Sequence, residues 1–299
     1  MAVHVGDDAQ PGAAVAQLVA TLDLEQLEDR LFRGQSPDSP LQRVFGGQVA
    51  AQALMAAVRT VPDDRRVHSL HGYFLIGGDP DVPLIYEVDV VRDGKSFSTR
   101  RVTAIQHGRV IFYLSASFQV HEDGIEHQLE MPDVPDPESL PTPAEAMAAY
   151  RDQIPELDGW EGHESPLDIR YVGTPPMLGA LLREPAEAVS RVWMRANGTL
   201  PDDPHMHVCV LAWASDMTLL DSVRLPHHTR WDGSLGQTAS LDHAMWFHRP
   251  FRADEWFLYD QRSPSAAGAR GLAEGKIFSR DGRLVCSVVQ EGLVRHNRG

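Results

Sequence analysis

Apolar and polar positions alternate with a period of two in two well-separated stretches of the chain. These are Ser69-Leu70-His71-Gly72-Tyr73-Phe74 and Ser240-Leu241-Asp242-His243-Ala244-Met245-Trp246-Phe247. A period of two marks a half-buried strand. In each case an arginine follows at a similar distance within another β-prone segment: Arg100 is 31 residues after Ser69, and Arg270 is 30 after Ser240. A further strand is predicted after a Gly-Arg turn in each half, at Gly108-Arg109 and at Gly282-Arg283. A helix is predicted ahead of each serine, over residues 48–54 in one half and Met217-Thr218-Leu219-Leu220-Asp221 in the other. Two similar units of one helix and several antiparallel strands are implied, with duplication as the simplest account. Val49, Ala50, Ala53, Leu54 and Ala57 make the first helix small or apolar nearly all round, as suits a helix buried in a curled sheet.

Outside the two units the pattern changes. Residues 13–31 show apolar spacing that predicts a helix, with Leu24, Leu27 and Leu31 near one face. From Asp123 to Pro143 five prolines stand among acidic residues, which removes backbone donors and breaks any long regular element. This stretch reads as a surface linker with a short helix near Ala144 to Tyr150. The expected organisation is an N-terminal tail and start of the first helix over 1–22, one unit over 23–122, the linker over 123–165 and a second unit over 166–299.

Composition narrows the function classes. The formal charge of −15 argues against nucleic-acid binding, which needs a basic surface. A small anionic ligand needs only a local cluster of cations and stays possible. No apolar run of about 18 residues is present, so no membrane span is expected. The first ten residues lack a basic stretch followed by an apolar one, against a secretory signal. Two cysteines, Cys209 and Cys286, make no disulfide framework and suit a reducing cytoplasm.

Several longer strings point to a family. Leu31-Phe32-Arg33-Gly34-Gln35, Val44-Phe45-Gly46-Gly47-Gln48-Val49, His68-Ser69, Arg92-Asp93-Gly94-Lys95-Ser96-Phe97, Ser117-Phe118-Gln119, Asp242-His243-Ala244-Met245-Trp246-Phe247-His248-Arg249-Pro250 and Gln290-Glu291-Gly292 occur in this order. Together they resemble the type-II acyl-CoA thioesterase (TesB-like) family. The resemblance implies an α+β double hotdog, two antiparallel sheets each wrapped round a central helix and fused in one chain. It also implies hydrolysis of fatty acyl-CoA without cofactor or metal, and pairing into homo-oligomers. The family's Asp, Ser/Thr and Gln, all from the second unit, fall on Asp216, Ser240 and Gln290. Asp216 is expected at the start of the central helix of its unit.

These residue types suit the chemistry. Asp216 can take a proton from water while Ser240 and Gln290, both neutral, hold that water by hydrogen bonds. A helix N-terminus offers free N–H groups and a positive dipole end for the developing oxyanion. Where the second unit has Ser215-Asp216 the first has Phe45-Gly46-Gly47, with no acid, so Gly46 and Gly47 are read as binding surface. Taken singly, each residue has a plainer role: Asp216 as a helix N-cap, Ser240 and Gln290 as partners for nearby backbone. His243 and His248, or His68 and His71, have spacing that invites a metal or base reading, but no third ligand falls at a familiar spacing. His68 remains an alternative base. Arg224, His227, His228 and Arg230 form either a solvated basic loop or a seat for coenzyme A phosphates. The rival functions are a non-catalytic acyl-CoA binding or sensing protein and a hotdog hydratase. The hydratase would need an Asp and a His together on one helix, and Asp216 has no His before His227.

Overall fold

The protein is described by a computed structural model. It covers residues 12–37, 42–152, 154, 165–182, 184, 186–227 and 238–295. His228 and Arg230 of the basic cluster lie outside the described residues.

In the first half, α1 (Ala13–Leu22) is followed by β1 (Glu25–Glu28), β2 (Leu31–Gly34), α2 (Gly46–Val58), β3 (Arg65–Phe74), β4 (Leu84–Asp93), β5 (Phe97–Gln106) and β6 (Arg109–Val120). After the short helix α3 (Pro143–Ala148), the second half comprises β7 (Leu167–Tyr171), α4 (Pro176–Leu182), β8 (Val189–Ala196), α5 (Pro204–Ser215), α6 (Asp221–Arg224), β9 (Thr238–Ser240), β10 (Asp242–Phe247), β11 (Phe257–Ala267), β12 (Arg270–Ser279) and β13 (Leu284–Val294). The strand order is β1-β2-β4-β5-β6-β3-β10-β13-β12-β11-β8-β7, with β9 added on β13. This is the expected α+β double hotdog, with one addition. The two sheets meet edge to edge where β3 pairs β10, Leu70 opposite Met245, so they form one continuous sheet without a free edge at the seam.

Each sheet curls round one helix, and the two helices pack against each other. α2 is buried on all sides from residue 47 to 58. Its two polar residues are satisfied: Gln52 donates to Thr21 O and Gln35 O and accepts from the Tyr86 hydroxyl, and Gln48 donates to Ser36 Oγ. The small residues of α2 permit close approach, and at Gly47 a Cβ would lie 2.4 Å from Trp213 O of α5. The β5–β6 hairpin turns through His107 and Gly108, at φ 50° and 69°, the left-handed pair that a two-residue turn requires.

Three expectations need correction. The first helix ends at Leu22, not near residue 31. Leu24 is buried, but Leu27 stands exposed in β1 and Leu31 begins β2, because pairing onto the sheet edge outweighs helix propensity. The central helix of the second half is α5, opened by Asp203 as cap and Pro204 in the first turn, and residues 217–220 form turns beyond its end. Arg100 and Arg270 are not equivalent. Arg100 is 1% exposed and paired with Asp93, whereas Arg270 lies on the surface with Glu291. A one-residue slip in a strand exchanges its faces.

The short helix expected after the prolines is present as α3, with a full capping box between Thr142 and Glu145. The proline segment before it is more than a strap. Met131, Val134 and Leu140 pack on Trp193, Trp256, Leu258, Phe278 and Leu284, and Trp193 Nε1 donates to Pro135 O. The outer face of the second sheet thus has its own small core.

Candidate active site

Asp216, Ser240 and Gln290 come from three different elements and meet at one carboxylate oxygen. Ser240 Oγ donates to Asp216 Oδ1 at 3.1 Å, and Gln290 Nε2 donates to the same oxygen at 2.5 Å. Gln290 is fully buried on β13, and its Oε1 has no partner. Asp216 and Ser240 are half-buried. Register explains the meeting: Ser240 pairs with Gly292 in the β9–β13 ladder, two residues from Gln290. Next to it, Glu291 N donates to Asp242 Oδ1 at 2.6 Å, which holds the start of β10 against β13.

Asp216 is the C-cap of α5, so the expectation that it opens its own helix is wrong. The helix start beside it belongs to the other half. A Cβ on Gly46 would lie 2.7 Å from Asp216 Oδ2 and 3.1 Å from the Phe74 ring, so the first residue of α2 faces the carboxylate directly. The first intrahelical bonds of α2 are made by Gln48 N and Val49 N, both to Phe45 O. The N–H groups of Gly46 and Gly47 therefore have no acceptor within the helix. A carboxylate and the start of a helix do meet, one from each half.

The residue before Asp216 is clamped twice. Ser215 O accepts from the Tyr259 hydroxyl at 3.1 Å, and Ser215 Oγ lies 2.8 Å from His243 Nε2. The single proton of Ser215 goes to Ala212 O at 2.9 Å, so His243 donates through Nε2–H. Burial lowers the His243 pKa, chiefly by desolvation and against the pull of Asp216 and Asp242, and keeps the ring neutral. Burial also raises the Tyr259 hydroxyl well above its ordinary value. The sequence pattern gave His243 a metal or base reading; its place inside the core supports neither. Tyr259 carried no sequence signal, since a tyrosine in a strand looks like any other core position.

Of the other histidines given that reading, His68 bonds Ser117 Oγ at 2.8 Å, His248 bonds Ser287 Oγ at 2.9 Å, and His71 packs edge-on against Trp246 at 4.9 Å. Among the described residues no group of His, Cys, Asp and Glu is arranged to hold a metal. No described helix is long and apolar enough to cross a membrane.

Two family models match the chain: "Acyl-CoA thioesterase N-terminal domain" over residues 35–119 and "Acyl-CoA thioesterase" over residues 179–293. Human acyl-coenzyme A thioesterase 8 is 42% identical over 95% of this chain and 91% of its own length. Acyl-CoA thioesterase 2 of Haemophilus influenzae is 42% identical over 93% of this chain and 96% of its own. The crystal structure of acyl-CoA thioesterase II TesB2 from Mycobacterium marinum, 49% identical, superposes with a TM-score of 0.76 over 93% of this chain and 98% of that one. By sequence in both halves and by fold, this chain belongs to the acyl-CoA thioesterase family.

Proposed function

We propose that the chain hydrolyses fatty acyl-CoA to a free fatty acid and coenzyme A at one site, with Asp216 as general base. The observation that carries the proposal is the division of labour on the carboxylate: Oδ1 is occupied by Ser240 and Gln290, and Oδ2 faces Gly46 at the start of α2. A water held at Oδ2 gives its proton to Asp216 as its oxygen attacks the thioester carbon. The carbonyl oxygen becomes an oxyanion beside the Gly46 and Gly47 N–H groups and the α2 dipole. Collapse restores the carbonyl, breaks the carbon–sulfur bond and returns the proton from Asp216 to the leaving thiolate. Ser240 and Gln290 fix the carboxylate, and Gln290 Oε1 is a spare acceptor for the water. The second helix end carries no matching acid, because the C-cap of α2 is Arg59, bound to Asp23 and Leu24 O.

The test is release of free thiol from short to long acyl-CoAs by wild type and Asp216→Asn. Wild type should release thiol, and the variant should lose about 10²–10⁴ in kcat with its fold intact. Release by neither protein from any chain length would overturn the proposal.

We further propose a cytoplasmic setting and pairing into a homo-oligomer. Both cysteines are free and buried, as suits a reducing compartment. Tyr73, Leu75, Val110 and Tyr113 leave an apolar patch exposed on the first sheet, with Tyr73 and Tyr113 stacked at 5.7 Å.

A further inference from the structure

At the end of α5 remote from Asp216 lies a large cavity. It is a groove of about 1200 Å³ between the sheet and residues 121–129. Its lining includes neither Asp216, Ser240, Gln290 nor Gly46. His207, on its wall, precedes Asp216 by nine residues on the same helix, about 13 Å along the axis.

The groove departs from the charge of the whole chain. The protein carries −15 overall, yet here five Lys and Arg side chains stand against three carboxylates. Those carboxylates are engaged: Glu126 with Arg249 at 3.6 Å, Asp202 with Arg252 at 2.8 Å, and Glu122 with Gln119 at 2.9 Å. Arg66, Lys276 and Arg283 are in no ion pair among the described residues. Lys276 is half-buried on β12 opposite Ser287, whose hydroxyl bonds His248 Nε2 at 2.9 Å. A cation partly removed from water is costly until an anion joins it.

A second observation points the same way. His207 is 3% exposed, and its Nδ1 accepts from Ala253 N at 3.1 Å. The ring proton is then on Nε2, which is buried and has no partner. A buried donor left unsatisfied is costly and calls for an acceptor. Val208, Phe247 and Phe251 add an apolar wall.

We propose that this groove is a second binding site, taking a phosphate-bearing anion of the nucleotide class, with Lys276 and His207 Nε2–H as phosphate partners and the Phe247 and Phe251 side as the seat for the base. The proposal does not rest on thioester hydrolysis. The experiment is calorimetric titration of the full chain with adenosine 3′,5′-bisphosphate and, separately, inorganic pyrophosphate. Binding of one equivalent is expected, with affinity falling as salt rises. Tighter binding of the bisphosphate supports a nucleotide seated on the apolar wall; equal binding of both probes supports a phosphate-only site and overturns the seat for the base. Lys276→Glu should weaken binding about tenfold or more, and Lys276→Gln by less. Since acyl-CoA carries the same phosphate chemistry, the bisphosphate is also titrated into Asp216→Asn saturated with acyl-CoA. Competition supports filling of the groove by the substrate's own nucleotide, and unchanged binding supports an independent ligand. Absence of binding by both probes at millimolar concentration would overturn the proposal. So would undiminished binding by folded Lys276→Glu.

Discussion

The carboxylate of Asp216 is held asymmetrically, and that asymmetry separates two kinds of neighbour. Ser240 and Gln290 grip one oxygen, and the other faces the glycine at the start of α2 at close range. Gly46→Ala is therefore a sharp probe. It adds one methyl group, 2.7 Å from Asp216 Oδ2, at an ordinary helical position where alanine is at ease. The expected result is a fall in kcat/KM of about tenfold or more with the fold retained, read by thiol release beside thermal unfolding. Ser240→Thr keeps the hydroxyl and should retain most activity, while Ser240→Ala removes one of two donors to Oδ1 and should cost about tenfold or more in kcat. At this scale the three residues were legible only through the family strings, since an Asp before an apolar run, or a Ser and a Gln in strands, have plainer uses. The end of the helix on which Asp216 sits was misplaced, although Asp203-Pro204 carries the stronger start signal, a capping side chain followed by a proline in the first turn.

At the scale of elements, the site depends on how closely α2 and α5 approach. Gly47 faces the backbone of α5, where a Cβ would sit 2.4 Å from Trp213 O. A carbonyl cannot swing aside as a side chain can, so Gly47→Ala must push the helices apart. The expected cost is about 1–3 kcal/mol in urea unfolding, with activity falling as the α2 N-terminus moves from Asp216. The contrast with Gly46→Ala is the test: adjacent glycines, one governing chemistry and the other stability. The duplicated helix-and-strand pattern was visible in the alternation round Ser69 and Ser240, because a two-residue period survives in each half. What failed was single-residue register. Arg100 and Arg270 fall at nearly matching spacings, yet one is buried and the other is on the surface. The proline segment also looked like a plain linker, since Met131, Val134 and Leu140 are too scattered to show periodicity before the surface they cover is known.

Across the whole molecule, histidines packed against the protein set the response to acid, with His207 and His243 buried outright. His68, His205, His207, His243 and His248 all have pKa values lowered first by desolvation. The unfolded chain binds protons at these sites from about pH 6.5 downward, before the folded chain does, so stability falls as pH drops through that window. Asp254, Asp93, Glu138 and Glu145 are lowered as well and extend the loss further into the acid range. Among the described residues one group opposes this in the same range. Burial pushes Asp221 up to about 7 against the pull of Arg224, so the folded chain holds that proton more tightly, and its contribution is lost as pH rises towards 7. The buried pair His207 and His243 leads this loss, and the melting temperature should drop between pH 7 and pH 5. Asp221→Asn removes the opposing group, so its stability should fall more steeply than that of wild type over the same interval. A melting temperature that is flat or rising towards pH 5 in both proteins would show that these rings accept protons in place, and that the core round Ser215 and His243 is open to water.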